Sequence, residues 1–368
     1  MTEPAPRPLP HLSGLVPYKG GTGGGRAQVN TLKLSANESP LGPSPRAIEA
    51  YRAAAGALAA YPDSASGGLR GALAESFGLA ADWIACGAGS DELLGLLIAG
   101  FAGPGDEVLI SERTFMMYEI SARAHGAGVV KVPDRDYRAD VDALLGGLSE
   151  RTRIVFLANP NNPTGTYLPG SEVRRLHRGL PPHVLLVVDA AYAEYVMADD
   201  YESGLELVSE HRNVVMTRTF SKIHGLAALR VGWAYAPAGI VSVIDRVRGP
   251  FNVSTPAQEA AIASLGDLAH LEAARAHNAR MLPWLTSELE GLGFTVVPSA
   301  ANFVLAAVPG GGAASAALEA HLQGEGIHIR RFAGEGLEGF IRVTIGTRPA
   351  LERFLAATKA FLAAKGRS

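Results

Sequence analysis

The chain contains a single cysteine, Cys86, in 368 residues. No intramolecular disulfide can form and no cysteine-based metal cluster can be built, which fits a reducing compartment such as the cytoplasm. No uninterrupted apolar run approaches the roughly 18 residues of a membrane span. The N-terminus has no basic region followed by an apolar stretch, so no signal peptide is expected. A formal net charge of −3 gives no reason to expect nucleic acid or an anionic membrane as partner. There is no internal repeat. Lysine is scarce as well: only six of the 33 basic residues are lysines. What is present is hydrophobic side chain, at 47% of the residues, which excludes global disorder. The length exceeds the usual limit of one core, so a large and a smaller domain are expected.

Residues 1–30 carry Pro4, Pro6, Pro8, Pro10, Pro17 and a glycine-rich stretch from Gly20 to Gly25. This reads as an extended arm without its own core. Its glycines are poor candidates for a phosphate cradle, because no strand precedes them and no helix follows at once. Further on, helix and strand alternate. Helices are expected over Ala47–Ala60, Asp91–Ala102 and Met116–His125. Strands are expected over Trp83–Cys86, Glu107–Ser111, Val129–Val132, Arg153–Asn159, Val184–Ala190, Val214–Thr219 and Val231–Ala236. Continuous apolar runs such as Val184-Leu185-Leu186-Val187-Val188 suit strands buried on both faces. The alternation implies an α/β fold with a mostly parallel sheet between helical layers. After Pro256 a long helical stretch is expected to about Leu292. Strands then follow near Phe294–Val297, Asn302–Val308, Ile327–Arg331 and Phe340–Ile345. The expected division is residues 1–45 as arm and part of the small domain, 46–260 as the large domain, and 261–368 as a small α+β domain.

One of the few lysines, Lys222, follows the apolar run Val214-Val215-Met216 and the segment Thr219-Phe220-Ser221. Partial burial lowers an amine's pKa toward the reactive neutral form, which suits Schiff-base formation with a carbonyl cofactor. Thr219, Ser221 and Arg230 carry the hydroxyls and the cation to hold a phosphate beside it. The spacing alone also suits a plain strand-to-loop junction.

Asp189 ends an apolar strand, where ligands of open α/β sheets bind. A carboxylate there needs a partner. A pyridinium nitrogen would be one, and Tyr192 could donate to the same ring's phenolic oxygen; a helix-capping aspartate is the plainer alternative. Asn159-Pro160-Asn161-Asn162-Pro163-Thr164-Gly165 demands a rigid turn that can aim Asn162 at that oxygen. Gly87-Ala88-Gly89-Ser90-Asp91-Glu92 follows a strand and opens a helix, whose backbone N–H groups can bind phosphate. It departs from a dinucleotide fingerprint, because Glu92 stands at the third glycine's place. Phe115 could stack on a ring or simply fill the core. Arg342 is a cation in an otherwise apolar strand, with Arg330 and Arg331 nearby in sequence; arginine recognises carboxylate or phosphate bidentately.

Taken in order, these motifs resemble the fold-type I, pyridoxal-phosphate-dependent aminotransferases of class I/II, and within them the histidinol-phosphate aminotransferase family. The matching segments are Asn37 to Pro45, Tyr61-Pro62-Asp63, Gly89 to Glu92, Asn159 to Gly165, Asp189 to Tyr192, Thr219 to Lys222, Arg230-Val231-Gly232, Gly249 to Val253 and Arg342 to Thr347. The resemblance implies a large domain with a mostly parallel mixed sheet between helices, plus a small α+β domain. It implies pyridoxal 5'-phosphate as cofactor, Lys222 as Schiff-base lysine and proton shuttle, and Asp189 against the pyridine nitrogen. Tyr192 and Asn162 would hold the phenolic oxygen. Gly89, Ser90, Asp91, Thr219, Ser221 and Arg230 would hold the phosphate. Phe115 takes the place of a ring-stacking tyrosine. Tyr61 is expected to reach the neighbouring subunit's cofactor in a homodimer with shared sites. Arg342 and Asn37 would serve the substrate, Arg342 through the carboxylate of glutamate or 2-oxoglutarate. Arg330, with Tyr18, is the candidate for the phosphate of histidinol phosphate. Ala88, His224 and Arg113-Thr114-Phe115 depart from the family pattern. Transfer between histidinol phosphate and 2-oxoglutarate is the expected reaction. An aromatic amino acid aminotransferase, a phospho-amino-acid decarboxylase and a non-catalytic cofactor-binding regulator are the alternatives.

Overall fold

The computed structural model describes residues 7–12, 14–17 and 31–365. A two-residue strand β1 (Leu32–Lys33) leads into the main body. Seven strands then form the central sheet: β2 (Ile84–Gly87), β3 (Glu107–Ser111), β4 (Gly128–Val132), β5 (Thr152–Ala158), β6 (Leu185–Asp189), β7 (Val214–Thr219) and β8 (Gly232–Tyr235). Their order is β2-β8-β7-β6-β5-β3-β4. Strands β3 to β7 are parallel, and β8 runs antiparallel to both of its neighbours. The mostly parallel sheet is therefore as expected.

The apolar runs are explained by burial on two faces. Along β6, Leu186 and Val188 enter one core while Leu185 and Val187 enter the other. The same alternation places Leu157 of β5 on one side and Phe156 on the other. Neither face meets water, so no polar residue is needed until the strand ends.

Four further strands, β9 (Thr295–Val297), β10 (Phe303–Ala307), β12 (Arg330–Arg331) and β13 (Phe340–Thr344), make an antiparallel sheet of order β12-β13-β10-β9 with its own core. Strand β11 (Ile327–His328) pairs in parallel with β1.

Two expectations are corrected. The segment Ile327–Arg331 is not one strand: Ile329 interrupts it, and β11 and β12 join different sheets. The helical stretch after Pro256 is two helices, Thr255–Leu265 and Leu268–Gly291. The break falls at Gly266-Asp267, where the Asp267 side chain caps the second helix by accepting from the His270 N–H at 3.3 Å. The first helix is also shorter than expected, ending as α-helix at Ala54.

The strand order reverses between β3 and β5, since β4 lies outside β3 and β6 lies beyond β5. Ligands of open α/β sheets bind at the carboxyl ends beside such a reversal. Phe115 follows β3, Asn162 follows β5, Asp189 ends β6 and Lys222 follows β7. The topology alone delivers these four residues to one edge of the sheet.

Candidate active site

At that edge lies a cavity of about 230 Å³. Its lining includes Ser90, Asp91, Phe115, Asn162, Asp189, Tyr192, Thr219, Ser221, Lys222 and Arg230, together with Ala36 and Glu38 from the segment after β1. Expected site residues that are scattered from Ser90 to Arg230 in sequence thus meet in one space.

Asp189 forms one end. It is buried; its Oδ2 accepts from the Tyr118 hydroxyl at 2.7 Å and its Oδ1 from Thr217 Oγ1 at 3.1 Å. Burial raises its carboxyl above the ordinary range, while Tyr118, Thr217 and the Ala191 N–H pull it back. Tyr118 is itself fixed, its ring stacked on Phe156 at 4.6 Å and met edge-on by Phe115 at 5.6 Å. Burial and the neighbouring Asp189 push the Tyr118 hydroxyl well up, so it stays a donor.

The other end is cationic. Gly89 precedes the helix Ser90–Phe101, so Ser90 and Asp91 occupy its first turn. Helix N-termini present free N–H groups and positive potential. Glu92 reaches back to accept from the Ala88 N–H at 2.6 Å and from Asn252 Nδ2 at 2.7 Å, which fixes the turn. Arg230, between β7 and β8, lies in the left-handed region (φ 53°), and its Nη1 donates to Ser221 Oγ at 3.2 Å. The Ser221 N–H in turn donates to Thr219 Oγ1 at 3.1 Å. Gly89 is required here: its φ is +89°, and a Cβ would lie 2.3 Å from Arg230 Nη2. Gly232 is equally constrained, because a Cβ there would lie 2.2 Å from the Ser90 nitrogen. Burial raises the Asp91 carboxyl, against the pull of Arg230.

Lys222 lines the same cavity. Its Nζ donates to the Ala36 carbonyl at 3.4 Å and sits 5.5 Å from the centre of the Tyr192 ring. Just behind it, His224 is buried, with Nδ1 2.8 Å from Ser264 Oγ; burial lowers its pKa to about 3, so it is neutral.

On the third side, Asn37 is buried and donates through Nδ2 to the Tyr192 hydroxyl at 2.9 Å. Its own position (φ 56°) is held by Thr344 Oγ1, which accepts its N–H at 2.9 Å, and by Asn302 Nδ2, which donates to its carbonyl at 3.0 Å. Arg342 is buried; Nη1 donates to Asn162 Oδ1 and Nη2 to the Ser35 carbonyl at 2.8 Å. Arg330 lies directly opposite Arg342 in the β12–β13 pair.

Not every expected residue lines this space: Gly89, Asn37, Arg330 and Arg342 are outside the lining, with Asn37 and Arg342 bonded to the lining residues Tyr192 and Asn162. Tyr61 is 82% exposed and stacks on Phe251 at 4.6 Å, outside its own chain's cavity. Tyr18 lies outside the described residues. Conversely, the sequence gives no sign of Tyr118 or Thr217 as site residues. A tyrosine three positions after Phe115 on a helix reads as core, and only its stacking partner reveals its aim. Among the described residues no group of acids, histidines and cysteine is placed to hold a metal, and no helix is long and apolar enough to cross a membrane.

A lysine at the carboxyl ends of an α/β sheet, sharing one cavity with a buried carboxylate and a cationic helix start, is an arrangement for amino-group chemistry. The family described as aminotransferase class I and II matches residues 29–357, and the chain belongs to that family. Within it, the chain is 50% identical over 365 residues to the histidinol-phosphate aminotransferase of Paramagnetospirillum magneticum, covering 99% of this chain and 100% of that one. The enzyme of the same name from Nitrobacter hamburgensis is 47% identical over 362 residues, covering 98% and 99%. Among solved structures, histidinol-phosphate aminotransferase from Sinorhizobium meliloti, in complex with pyridoxal-5'-phosphate, superposes with a TM-score of 0.92 at 30% identity, covering 99% of this chain and 100% of that one.

Proposed function

We propose that the protein is a histidinol-phosphate aminotransferase. It moves an amino group between histidinol phosphate (or imidazole-acetol phosphate) and 2-oxoglutarate (or glutamate), a step of histidine biosynthesis. Its cofactor is pyridoxal 5'-phosphate. The observation that carries the reading is that Lys222, Asp189 and the Ser90–Ser221–Arg230 cluster line one cavity. The near identity in length and the high identity with two enzymes of this name support the substrate choice.

The residues fit the cofactor. Asp189 is a buried carboxylate whose ionised form needs a cation, which a protonated ring nitrogen supplies. Gly89 lets the Arg230 guanidinium come close to the helix start, with the Ser221 hydroxyl bonded to that guanidinium and Thr219 bonded to the Ser221 N–H, a set of donors that suits a phosphate. When bound, pyridoxal phosphate supplies a carbonyl and an electron-withdrawing ring. Everything else falls to the chain. Lys222 Nζ anchors the group and, once freed, takes up and returns the substrate's proton. Tyr192 and Asn162 orient the ring oxygen, with Asn37 fixing the Tyr192 hydroxyl. Phe115 covers a ring face. Arg342 binds a substrate carboxylate, and Arg330, on the same face of the β12–β13 pair, binds the phosphate end.

The same reading includes a homodimer in which Tyr61 completes the partner's site, a cytoplasmic location, and no nucleic-acid or membrane partner. It also divides the chain into an arm with part of a small domain, a large domain to about residue 260, and a small domain after it; the separate cores of the two sheets support this.

Amino transfer to 2-oxoglutarate, with histidinol phosphate, phenylalanine, tyrosine and threonine phosphate compared side by side, tests the substrate. The expected result is a kcat/KM for histidinol phosphate well above the rest. Equal or better turnover of phenylalanine and tyrosine would replace the reading with an aromatic aminotransferase. Lys222→Ala should abolish the absorbance band that arises from the cofactor's bond to the lysine and lower activity more than about 10³-fold.

A further inference from the structure

Arg113 follows β3, two residues before Phe115. Its main chain supports the cavity wall. The Arg113 carbonyl accepts from Asn161 Nδ2 at 2.7 Å, and Thr114 Oγ1 donates to Asn161 Oδ1 at 3.0 Å. Asn161 immediately precedes the cavity residue Asn162.

Its side chain reaches across to the other sheet. Nε donates to the Glu335 carbonyl at 2.8 Å, and Nη1 pairs with Asp134 Oδ1. The guanidinium carbon lies 5.7 Å from the centre of the Tyr137 ring, and Tyr137 packs edge-on against Phe340 of β13. The Asp134 side chain is only 3% exposed, so its charge has no good alternative to Arg113.

The loop that Arg113 grips is the connection from β12 to β13. Both Glu335 (φ 63°) and Gly336 (φ 69°) are left-handed there. A Cβ on Gly336 would lie 2.9 Å from Arg113 Nη2. The Glu335 carboxylate is held as well, by Lys131 Nζ at 3.1 Å, which also pairs with Glu119 at 2.6 Å. Leu337, next in the loop, is fully buried with Val297 and Leu305. The two strands it joins pair with Arg330 opposite Arg342.

We infer that Arg113 is a positioning residue for substrate binding: fastened to the wall that carries Phe115 and Asn162, it holds the β12–β13 loop and so fixes the Arg330–Arg342 pair relative to that wall. The inference rests on the reading that these two arginines bind the substrates' anionic groups. A guanidinium suits the task because its planar fork serves a carbonyl, a carboxylate and an aromatic face at once, which an ammonium cannot. Small misplacements of binding groups weaken recognition steeply.

Three variants test it: Arg113→Lys, which keeps a charge for Asp134 but not the fork; Gly336→Ala, which acts from the loop side; and the double variant Arg113→Met/Asp134→Asn, which leaves no orphan carboxylate. Each is expected to raise the KM for histidinol phosphate about 10-fold while kcat stays within about twofold, the mark of lost binding without lost chemistry. The bound cofactor's spectrum should not change. Unchanged KM in the folded Arg113→Lys and Gly336→Ala proteins would overturn the inference, as would a loss of thermal stability with no shift in KM. Arg330→Met is the control: if it leaves KM unchanged, the reading of the anion site fails and the positioning role falls with it. If Arg330→Met raises KM while the Arg113 and Gly336 variants do not, only the positioning role falls.

Discussion

Arg330 and Arg342 face each other across the β12–β13 pair, and Arg342 reaches into the wall of the cavity through Asn162. Like charges opposite one another in an antiparallel pair repel. If substrate anions bind on that face, as proposed, both arginines contribute to holding them. On the proposed role, Arg342→Met removes a charge-assisted partner of the substrate carboxylate, an interaction of about 1.5–3 kcal/mol. The expected loss is about 10- to 100-fold in kcat/KM for 2-oxoglutarate. Arg342→Lys should recover little of it, because an ammonium cannot replace the fork. Arg330→Met should raise the KM for histidinol phosphate and leave that for 2-oxoglutarate much closer to the parent value. Steady-state kinetics with both substrates separates the two roles; equal effects of both variants on both substrates would contradict the assignment.

Asp189 predicts opposed effects on stability and activity. Its carboxyl is raised on folding, chiefly by burial. A group raised in the folded state binds its proton more tightly there than in the unfolded chain. Folding stability therefore falls as pH climbs from the ordinary carboxylate value through the raised one. In the cofactor-free protein, Asp189→Asn escapes this penalty while keeping an acceptor for Tyr118. Its Tm should exceed the parent's near pH ~7, with the difference shrinking toward about pH 4. On the proposed role of Asp189 against the ring nitrogen, activity should fall about 10³-fold, because its charge is gone. A Tm difference that does not depend on pH would show that burial is not what raises the group.

The order of the site along the chain explains how much of it can be read without a structure. Asp189, Asn162, Lys222 and Ser90 each follow an apolar run that suits a doubly buried strand. A polar residue at the end of such a run is conspicuous. Tyr118 is not, because an aromatic on a helix looks like core, and its hydroxyl finds Asp189 only through the stack on Phe156. The segment Ile327–Arg331 misleads for a related reason. Its residues have strand character throughout, but which sheet each half joins depends on partners at opposite ends of the chain, Leu32 and Arg342. The pairing of Arg330 with Arg342 follows from that split and is invisible in local pattern.

Gly89 and Gly232 should fail in different ways when given a methyl group. At Gly89 the new Cβ meets the end of a flexible side chain, Arg230. Arg230 can move aside, so the fold survives and the phosphate contact is lost. Gly89→Ala is expected to weaken cofactor binding about 10-fold or more, with a modest effect on denaturant unfolding, allowing for its positive φ. At Gly232 the new Cβ meets the backbone of Ser90, which cannot move without shifting the helix start. Gly232→Ala should lose about 1–3 kcal/mol or more of stability. Cofactor titration and urea denaturation on both proteins check the contrast; the reverse pattern would mean that the two close approaches are not what selects glycine.

Tyr61 offers the sharpest test of a shared site. It is 82% exposed, lies against Phe251, and contributes nothing to its own chain's cavity. An exposed aromatic pair of this kind is unusual unless another surface covers it. If Tyr61 serves the partner's phosphate, Tyr61→Asp places a carboxylate against that phosphate and silences both sites of a dimer. Lys222→Ala silences them by another route. In a mixed dimer, one site then combines Tyr61 of the Lys222→Ala chain with Lys222 of the Tyr61→Asp chain and is intact; the other carries both defects. Random reassortment makes about half the dimers mixed, with one working site of two. Mixing the two inactive proteins, after mild dissociation, should therefore restore about a quarter of the parent activity. If Tyr61 acts within its own chain, each site in the mixed dimer keeps one complete defect, and mixing recovers nothing. If Tyr61 takes no part in the site, Tyr61→Asp is active from the start. Activity after mixing thus distinguishes a site built by two chains from one built by a single chain.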